Sequence, residues 1–327
     1  MEPMDVEIID RLLRSGRAVE ATAHGDFMTY RRVLAAVCRS WETPVDRAAA
    51  GGFAADCVAF AFAAGYTAAL QRLVPGLPED AVACLCVTEA GGGHPRAIMS
   101  RLSSAEESPG RERKFLLNGA KKFATCAAEA DVFLVAASMG TGADGRNNIR
   151  IVRIDAKLPG IQITPMADVR LVPEISHGEV LFTDVMVDEA DLLPGDGYRD
   201  YIKPFRIIED IHVTAGILGY LFRSACVYRW RREIRENILG RIASIRSLAL
   251  SDPAAPAVHI LLADALRRTA RLVERLDPYW ARSDAAAGQA WDRDKLLMTI
   301  ADKARARRLE TAWEFYEKGG SAPTSRT

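Results

Sequence analysis

The chain has 327 residues, 49% hydrophobic and 26% charged, with 43 basic and 43 acidic side chains and a formal net charge of zero. That length admits about two domains and a sizeable core, and the neutral balance leaves no basic footprint for nucleic acid. The acidic opening MEPMDVEIID lacks the apolar run of a signal peptide, and the longest apolar stretch, residues 57–70, is too short to cross a bilayer.

Residues 5–13 read as a short amphipathic helix. Residues 27–41 place Met28, Val33, Val37 and Trp41 at near-helical spacing. Residues 52–73 are alanine-rich and apolar, the pattern of one helix inside a bundle. LVPGLPED then supplies two prolines and a glycine as a stop. From residue 81 the texture changes. Residues 81–87 form a β-type apolar run, and 113–117 lead into Asn118-Gly119, a strong hairpin-turn signal. Strand-like runs follow at 132–136, 149–154, 161–165 and 179–187, separated by turn sequences such as GTGADGRNN and KLPG. This spacing predicts a compact antiparallel β-barrel or sandwich. From Pro204, which suits a first helical turn, roughly thirty proline-free residues read as one long helix. A break at 251–256 precedes helices over 257–276 and 291–316, and GGSAPTSRT has the composition of a disordered tail.

The expected organisation is α+β: a short N-terminal helical domain over 1–80, a middle β domain over 81–193, a C-terminal helical bundle over 194–320 and a tail over 321–327. The six cysteines, at 38, 57, 84, 86, 126 and 226, are scattered. Cys84 and Cys86 alternate, so a strand would turn both to one face. Neither a metal knuckle nor a disulfide framework emerges, which reads as reduced thiols in a cytoplasmic protein with no metal site.

Four segments carry a more specific signal. They are CLCVTEAGGGHP (84–95), LLNGAKKFATCAAEADVFLVAA (116–137), GIQITPM with EVLFTDVMVDEADLLPG (160–195), and EDIHVTAGILGYLFRSA (209–225). The first lacks the Lys-Ser/Thr of a phosphate-cradling loop. In this order the four resemble the strand-and-loop, the Asn-Gly-x-Lys hairpin, the closing strand and the first C-terminal helix of the flavin-dependent acyl-CoA dehydrogenases. The resemblance runs over 81–225, with a weaker echo to 320.

That resemblance implies FAD, an acyl thioester bound to CoA or to a carrier protein, and an electron acceptor. A carboxylate would take the α proton while the flavin accepts hydride from the β carbon. Leu85, Val87 and Thr88 would lie along the flavin ring. Gly91, Gly92 and Gly93 would let backbone approach the cofactor. Phe123 stands where the family has Trp, and Thr125, two residues on, would share its face. His94 stands where the family has Ser; a histidine there either donates to a phosphate or carbonyl oxygen or fills the substrate's space.

Most of the family carries the base in a loop between the last two helices, and this chain ends before that loop. A minority, similar to the isovaleryl type, carries it on the first C-terminal helix, where Glu209 falls ten residues before Gly219. Gly216, at i+7 from Glu209, would leave room for a flat partner. His212 reads as a core histidine.

Three departures stand out. YRWRREIRENILG lacks the family's Arg-x-x-Phe, Asp210 replaces an arginine, and the N-terminal domain is short. Lys303, Arg305, Arg307 and Arg308 read as a solvated or partner-facing side of the last helix. The implied function is dehydrogenation of a small or unusual acyl thioester by a homodimer or homotetramer. Two rivals are a same-fold flavin monooxygenase or oxidase and a non-catalytic partner subunit that retains the fold.

Overall fold

A computed structural model describes residues 6–105, 113–167 and 169–320. The expected tail over 321–327 and the first residues of the acidic opening lie outside them. The chain divides into two compact units: Met1–Arg72 with Ile207–Thr327, and Leu73–Arg206.

The first unit is helical. It contains α1 (Glu7–Ser15), α2 (Phe27–Cys38), α3 (Pro44–Ala54) and α4 (Val58–Leu73), then α5 (Lys203–Val227) from Ile207 onward. After these come α6 (Arg232–Ala249), α7 (Pro256–Glu274), α8 (Asp277–Trp280), α9 (Ala285–Asp294) and α10 (Asp302–Glu317). Local chemistry sets several starts. The Asp26 side chain accepts the Thr29 amide at 2.7 Å to cap α2, and Thr43 caps α3 ahead of Pro44.

Three long helical readings are corrected. The helix expected over 52–73 is two helices, because Ala55 is extended and the Asp56 carboxylate accepts the His24 amide at 2.6 Å. The long helix from Pro204 stops at Val227. Arg229 adopts φ +52°, and Trp230 turns inward, 4% exposed, with its ring edge-on to Trp280 at 5.0 Å. The helix expected over 291–316 is interrupted by a 3-10 turn, Lys295–Met298, that buries Met298.

Small residues let α5 approach α3 and α4 closely. A Cβ on Gly219 would lie 2.1 Å from the Ala49 oxygen, and one on Gly216 would lie 2.4 Å from the Ala61 oxygen. Gly216 therefore makes room for helix backbone, and the flat partner expected at that glycine is replaced by α4.

The second unit is one seven-stranded sheet: β1 (Ala83–Cys86), β2 (Arg101–Ser104), β3 (Lys114–Thr125), β4 (Val132–Thr141), β5 (Asn147–Asp155), β6 (Ile161–Pro165) and β7 (His177–Asp188). The order is β1-β4-β2-β3-β7-β6, with β5 also on β4. The α+β fold class holds, but the sheet is mixed rather than purely antiparallel, since β1 and β2 both run parallel to β4. β1 pairs with Val132–Val135 and β2 with Ser138, so the chain leaves β4 after Cys86 and returns farther along the same strand. Residues 87–100 are that excursion.

Asn118-Gly119 is not a hairpin turn. β3 runs through it beside β7, with a register shift between Leu117 and Gly119. Asn118 Nδ2 donates to Asp184 Oδ1 at 2.9 Å while Asn118 Oδ1 accepts the Asp184 amide, and Gly119 takes φ +144° against Ser100. The turn dipeptide is spent on a β-bulge. Phe133 and Phe182 meet edge-to-face in the core of this unit. Among the described residues, no helix is long and apolar enough to cross a membrane.

Candidate functional site

The excursion after β1 is pinned from beneath by a buried ion pair. Lys121, on β3, is 0% exposed. Its ammonium donates to Glu89 Oε1 at 2.6 Å, to the Ala136 carbonyl at 2.6 Å and to the Val87 carbonyl at 3.4 Å. Glu89, 8% exposed, also accepts the Met99 and Ser100 amides at 2.8 and 3.0 Å. Every strong donor and acceptor is thereby matched, the condition under which a buried pair is tolerated. Burial by itself would raise the Glu89 carboxyl. The Lys121 ammonium and the two amides outweigh it and hold the group below its ordinary range.

The next residue on β3 completes the joint: the Lys122 amide donates to the Thr88 carbonyl at 2.7 Å. The structure therefore brings Val87 and Thr88 beside residues 121–123. Val87 and Thr88 are half-buried, and Leu85 is buried on β1. Phe123 is 57% exposed and sits at φ +56°, an uncommon conformation for a bulky residue. Its amide leaves the ladder and meets Met166 Sδ at 3.4 Å. A register shift between Lys121 and Ala124 marks a second irregularity in β3. Strict alternation does not cross it, so the spacing argument that put Phe123 and Thr125 on one face loses its footing. Thr125 is half-buried and pairs with His177.

Around the glycines there is space. A Cβ on Gly92, at φ +99°, would meet nothing within 4 Å, and one on Gly93 would lie 3.4 Å from Thr88 Oγ1. His94 is exposed and caps a 3-10 turn, its Nδ1 accepting the Arg96 amide at 3.3 Å.

Glu209 lies half-buried on α5 of the helical unit. Its neighbour Asp210 is buried and held by α10: Arg305 bonds Oδ1 through Nη2 at 2.8 Å and Nε at 3.1 Å, and Arg308 bonds Oδ2. Two of the four basic residues assigned to a solvated side thus fold inward, while Lys303 and Arg307 are exposed. The cation missing at position 210 of α5 is supplied from α10, beside a carboxylate.

His212 is a core histidine, 2% exposed. Nδ1 lies 2.7 Å from the Ile208 carbonyl, which only accepts, so Nδ1 carries the proton. Nε2 has no hydrogen-bond partner among the described residues. Burial pushes this histidine down to about 4. The unfolded chain then binds the proton first as pH falls. The stability this group contributes is fully present above about pH 6.5 and is lost on descending toward pH 4, roughly 3 kcal/mol in all. Thermal melts at pH 7, 5.5 and 4 are expected to fall more steeply for the wild type than for His212→Leu; parallel curves would contradict the assignment.

Sequence reasoning did not find the Glu89–Lys121 pair, Met166 under the Phe123 amide, or His177 beside Thr125. Only the Thr-Glu and Asn-Gly-x-Lys blocks signalled the first of these. Among the described residues, no three His, Cys, Asp or Glu side chains gather to hold a metal ion. All six cysteines are free thiols, and Cys84 and Cys86 share a face with their sulfurs 3.8 Å apart.

A helical unit drawn from both ends of the chain, and a mixed sheet unit from its middle, define an α+β protein of the acyl-CoA dehydrogenase architecture. Residues 84–185 match the family model described as acyl-CoA dehydrogenase, middle domain. A probable acyl-CoA dehydrogenase, YngJ of Bacillus subtilis (strain 168), is 31% identical over 117 residues, 35% of this chain and 28% of that protein. The match thus spans under a third of that relative's length. Among solved structures, FMN-bound TdsC from Paenibacillus sp. A11-2 superposes with a TM-score of 0.68 at 17% identity, covering 98% of each chain. Butyryl-CoA dehydrogenase from Megasphaera elsdenii superposes with a TM-score of 0.67 at 15% identity, covering 96% of this chain and 100% of that one. Residues 84–185 thus match that family's middle-domain model, and the chain has the fold of these solved structures.

Proposed function

We propose that the chain is a flavin-dependent oxidoreductase of the acyl-CoA dehydrogenase type, acting in the cytoplasm on a small or unusual acyl thioester. The observation that carries this reading is the joint between Thr88 and Lys122, with the exposed, strained Phe123 ring beside it. Strained backbone at an exposed aromatic is the kind of feature that ligand sites retain. The residues present suit a flavin. Thr88 offers a hydroxyl and an amide, Phe123 an aromatic face, and Gly92 and Gly93 a backbone without side chains. Leu85, Val87, Thr88, Gly93, His94, Phe123 and Thr125 would hold the group, with His94 toward its phosphate or the thioester. A bound flavin supplies a hydride acceptor.

The rest falls to the chain. In this reading Glu209 takes the proton from Cα of the thioester, and the electron pair left there favours departure of hydride from Cβ. A carboxylate does this best in a site that excludes water and raises its pKa toward the working pH. An electron acceptor and a second copy of the chain complete the reading, as homodimer or homotetramer.

The visible spectrum tests it. Flavin bands in the purified protein are expected, with bleaching on anaerobic addition of short acyl-CoA thioesters. A colourless chain that takes up neither FAD nor FMN would sink the reading and leave the non-catalytic subunit. Likeness to FMN-bound TdsC over 98% of each chain favours a second reading, a same-fold flavin enzyme that uses FMN and oxygen. Extracted FMN, with no bleaching by thioesters, would select it over FAD-dependent dehydrogenation.

A further inference from the structure

Four arginines of the helical unit line one concavity that the chemistry above does not use. Arg268, Arg271 and Arg275 fall three and four residues apart at the C-terminal end of α7, one stripe of helix. Arg241 joins them from α6, which packs against α7. With Asp264 and Leu272 they enclose about 480 Å3, within the roughly 300–1,000 Å3 of small-molecule sites.

Arg241 is half-buried and held in one pose. Its Nε and Nη2 donate to the Arg268 carbonyl at 3.2 and 3.0 Å, and its Nη1 donates to the Asn237 carbonyl at 3.0 Å and to Asn237 Oδ1 at 3.2 Å. All of these acceptors are neutral. They fix the guanidinium without cancelling its charge. Burial, followed by its cationic neighbours Arg268 and Arg275, pulls its pKa down. A cation half-buried among cations costs stability until an anion answers it.

The carboxylates at hand answer only part of this charge. Asp264 bonds Arg268 at 2.7 Å but is shared with Arg267 at 3.9 Å, and Glu233 bonds Arg275 at 3.1 Å. These pairs are exposed, where such pairs are worth little. Arg271 makes no ion pair among the described residues. The negative end of the α7 dipole accounts for arginines in its last turn. It does not account for Arg241, which stands on another helix.

We infer that this groove binds an oligophosphate, a chain of linked phosphates either free or carried on a small molecule. Guanidinium forks match phosphate oxygens two at a time. Arg268 to Arg275 spans seven residues, about 10.5 Å of helix at 1.5 Å per residue. A single phosphate meets part of that row, whereas linked phosphates run along it. Of the five guanidinium protons of Arg241, four are engaged, and the one left on Nη2 is available to the ligand. Leu272 is the one apolar residue of the lining. Charge therefore sets recognition, and the phosphate chain rather than any attached nucleoside carries the affinity. The inference stands apart from the flavin chemistry, because binding heat is read whether or not cofactor is present.

Titration calorimetry of the full chain with inorganic tripolyphosphate, pyrophosphate and phosphate tests it. Affinity is expected to fall in that order, and to fall again as salt rises. ATP is expected to bind as tripolyphosphate does and adenosine not at all, so that a free chain and a carried one are told apart from nucleoside recognition. Arg241→Gln and Arg271→Gln are each expected to weaken tripolyphosphate binding about tenfold or more, the size of one lost charge-assisted hydrogen bond. Arg267→Gln removes the same charge outside the lining and is expected to change little. Asp264→Asn frees Arg268 and is expected to tighten binding. No heat with about 1 mM tripolyphosphate at low salt would overturn the inference. So would a loss in Arg267→Gln equal to that in Arg271→Gln, or a polyglutamate peptide that binds more tightly than tripolyphosphate, which would assign the groove to an acidic protein instead. Circular dichroism confirms that each variant is folded. Should Arg241→Gln unfold the chain, Arg271→Gln alters an exposed side chain and decides alone: unchanged binding there overturns the site.

Discussion

Glu209→Gln is expected to leave flavin bound while slowing its reduction by acyl-CoA by about 10²- to 10⁴-fold, the range general-base catalysis supplies. Glutamine keeps the size and one acceptor of glutamate but cannot take a proton. Glu209 lies half-buried on α5 between buried Ile208 and buried Asp210. The substitution adds no bulk to that face. Asp210 is the control. Its carboxylate is engaged by Arg305 and Arg308, so a change there acts on packing between α5 and α10 before it acts on chemistry. Stopped-flow absorbance of the flavin bands, with a melting curve for each variant, separates the two effects. Reduction of Glu209→Gln at the wild-type rate would remove Glu209 from the role of base. The proton acceptor would then have to come from another carboxylate.

Much of the fold was legible because local patterns and tertiary structure agree. The strand at 161–165 has the bounds read from its sequence, and Cys84 and Cys86 share a face as alternation requires. Failures occur where a distant residue decides. The helix from Pro204 ends at Val227 because Trp230 is buried among Tyr279 and Trp280, about fifty residues on. Asn118-Gly119 carries the chemistry of a hairpin turn, yet Asp184 captures the Asn118 side chain and turns the dipeptide into a bulge. Gly216 looks like an opening for a ligand, and Gly219 like a register mark, when only α5 is in view. In the folded unit they face the backbones of α4 and α3. The candidate site is less legible. Nothing in strand alternation marks Lys121 as the lysine with no exposure, since its acceptors come from Val87, Glu89 and Ala136. The grouping of Thr88 with Phe123 came from family resemblance, and the backbone joint that holds it became visible only in the structure.

Lys121→Met is expected to destabilise the protein by about 3–5 kcal/mol, the cost of leaving one member of a buried ion pair unanswered. Methionine fills the space of the lysine stem, so the loss comes from charge rather than from a cavity. Glu89 would retain the Met99 and Ser100 amides but lose the Lys121 ammonium. The double variant Glu89→Gln/Lys121→Met should recover part of the loss, because no charge is left buried and the glutamine carbonyl still accepts an amide. The effect also has a sign in pH. Glu89 is held below its ordinary value in the folded chain, so on acidification the unfolded chain takes up the proton first. The stability it contributes is present above about pH 4.3 and drains away as pH falls through the lower folded value. Denaturant titrations at pH 7 and pH 3.5 are expected to show this acid loss in the wild type and a smaller one in the double variant. The same pair fixes residues 87–89 against β3, so Lys121→Met should release flavin at a lower temperature than the wild type does. A Lys121→Met protein within 1 kcal/mol of wild type, or one that keeps its flavin to the wild-type temperature, would show that the loop is held by something other than this pair.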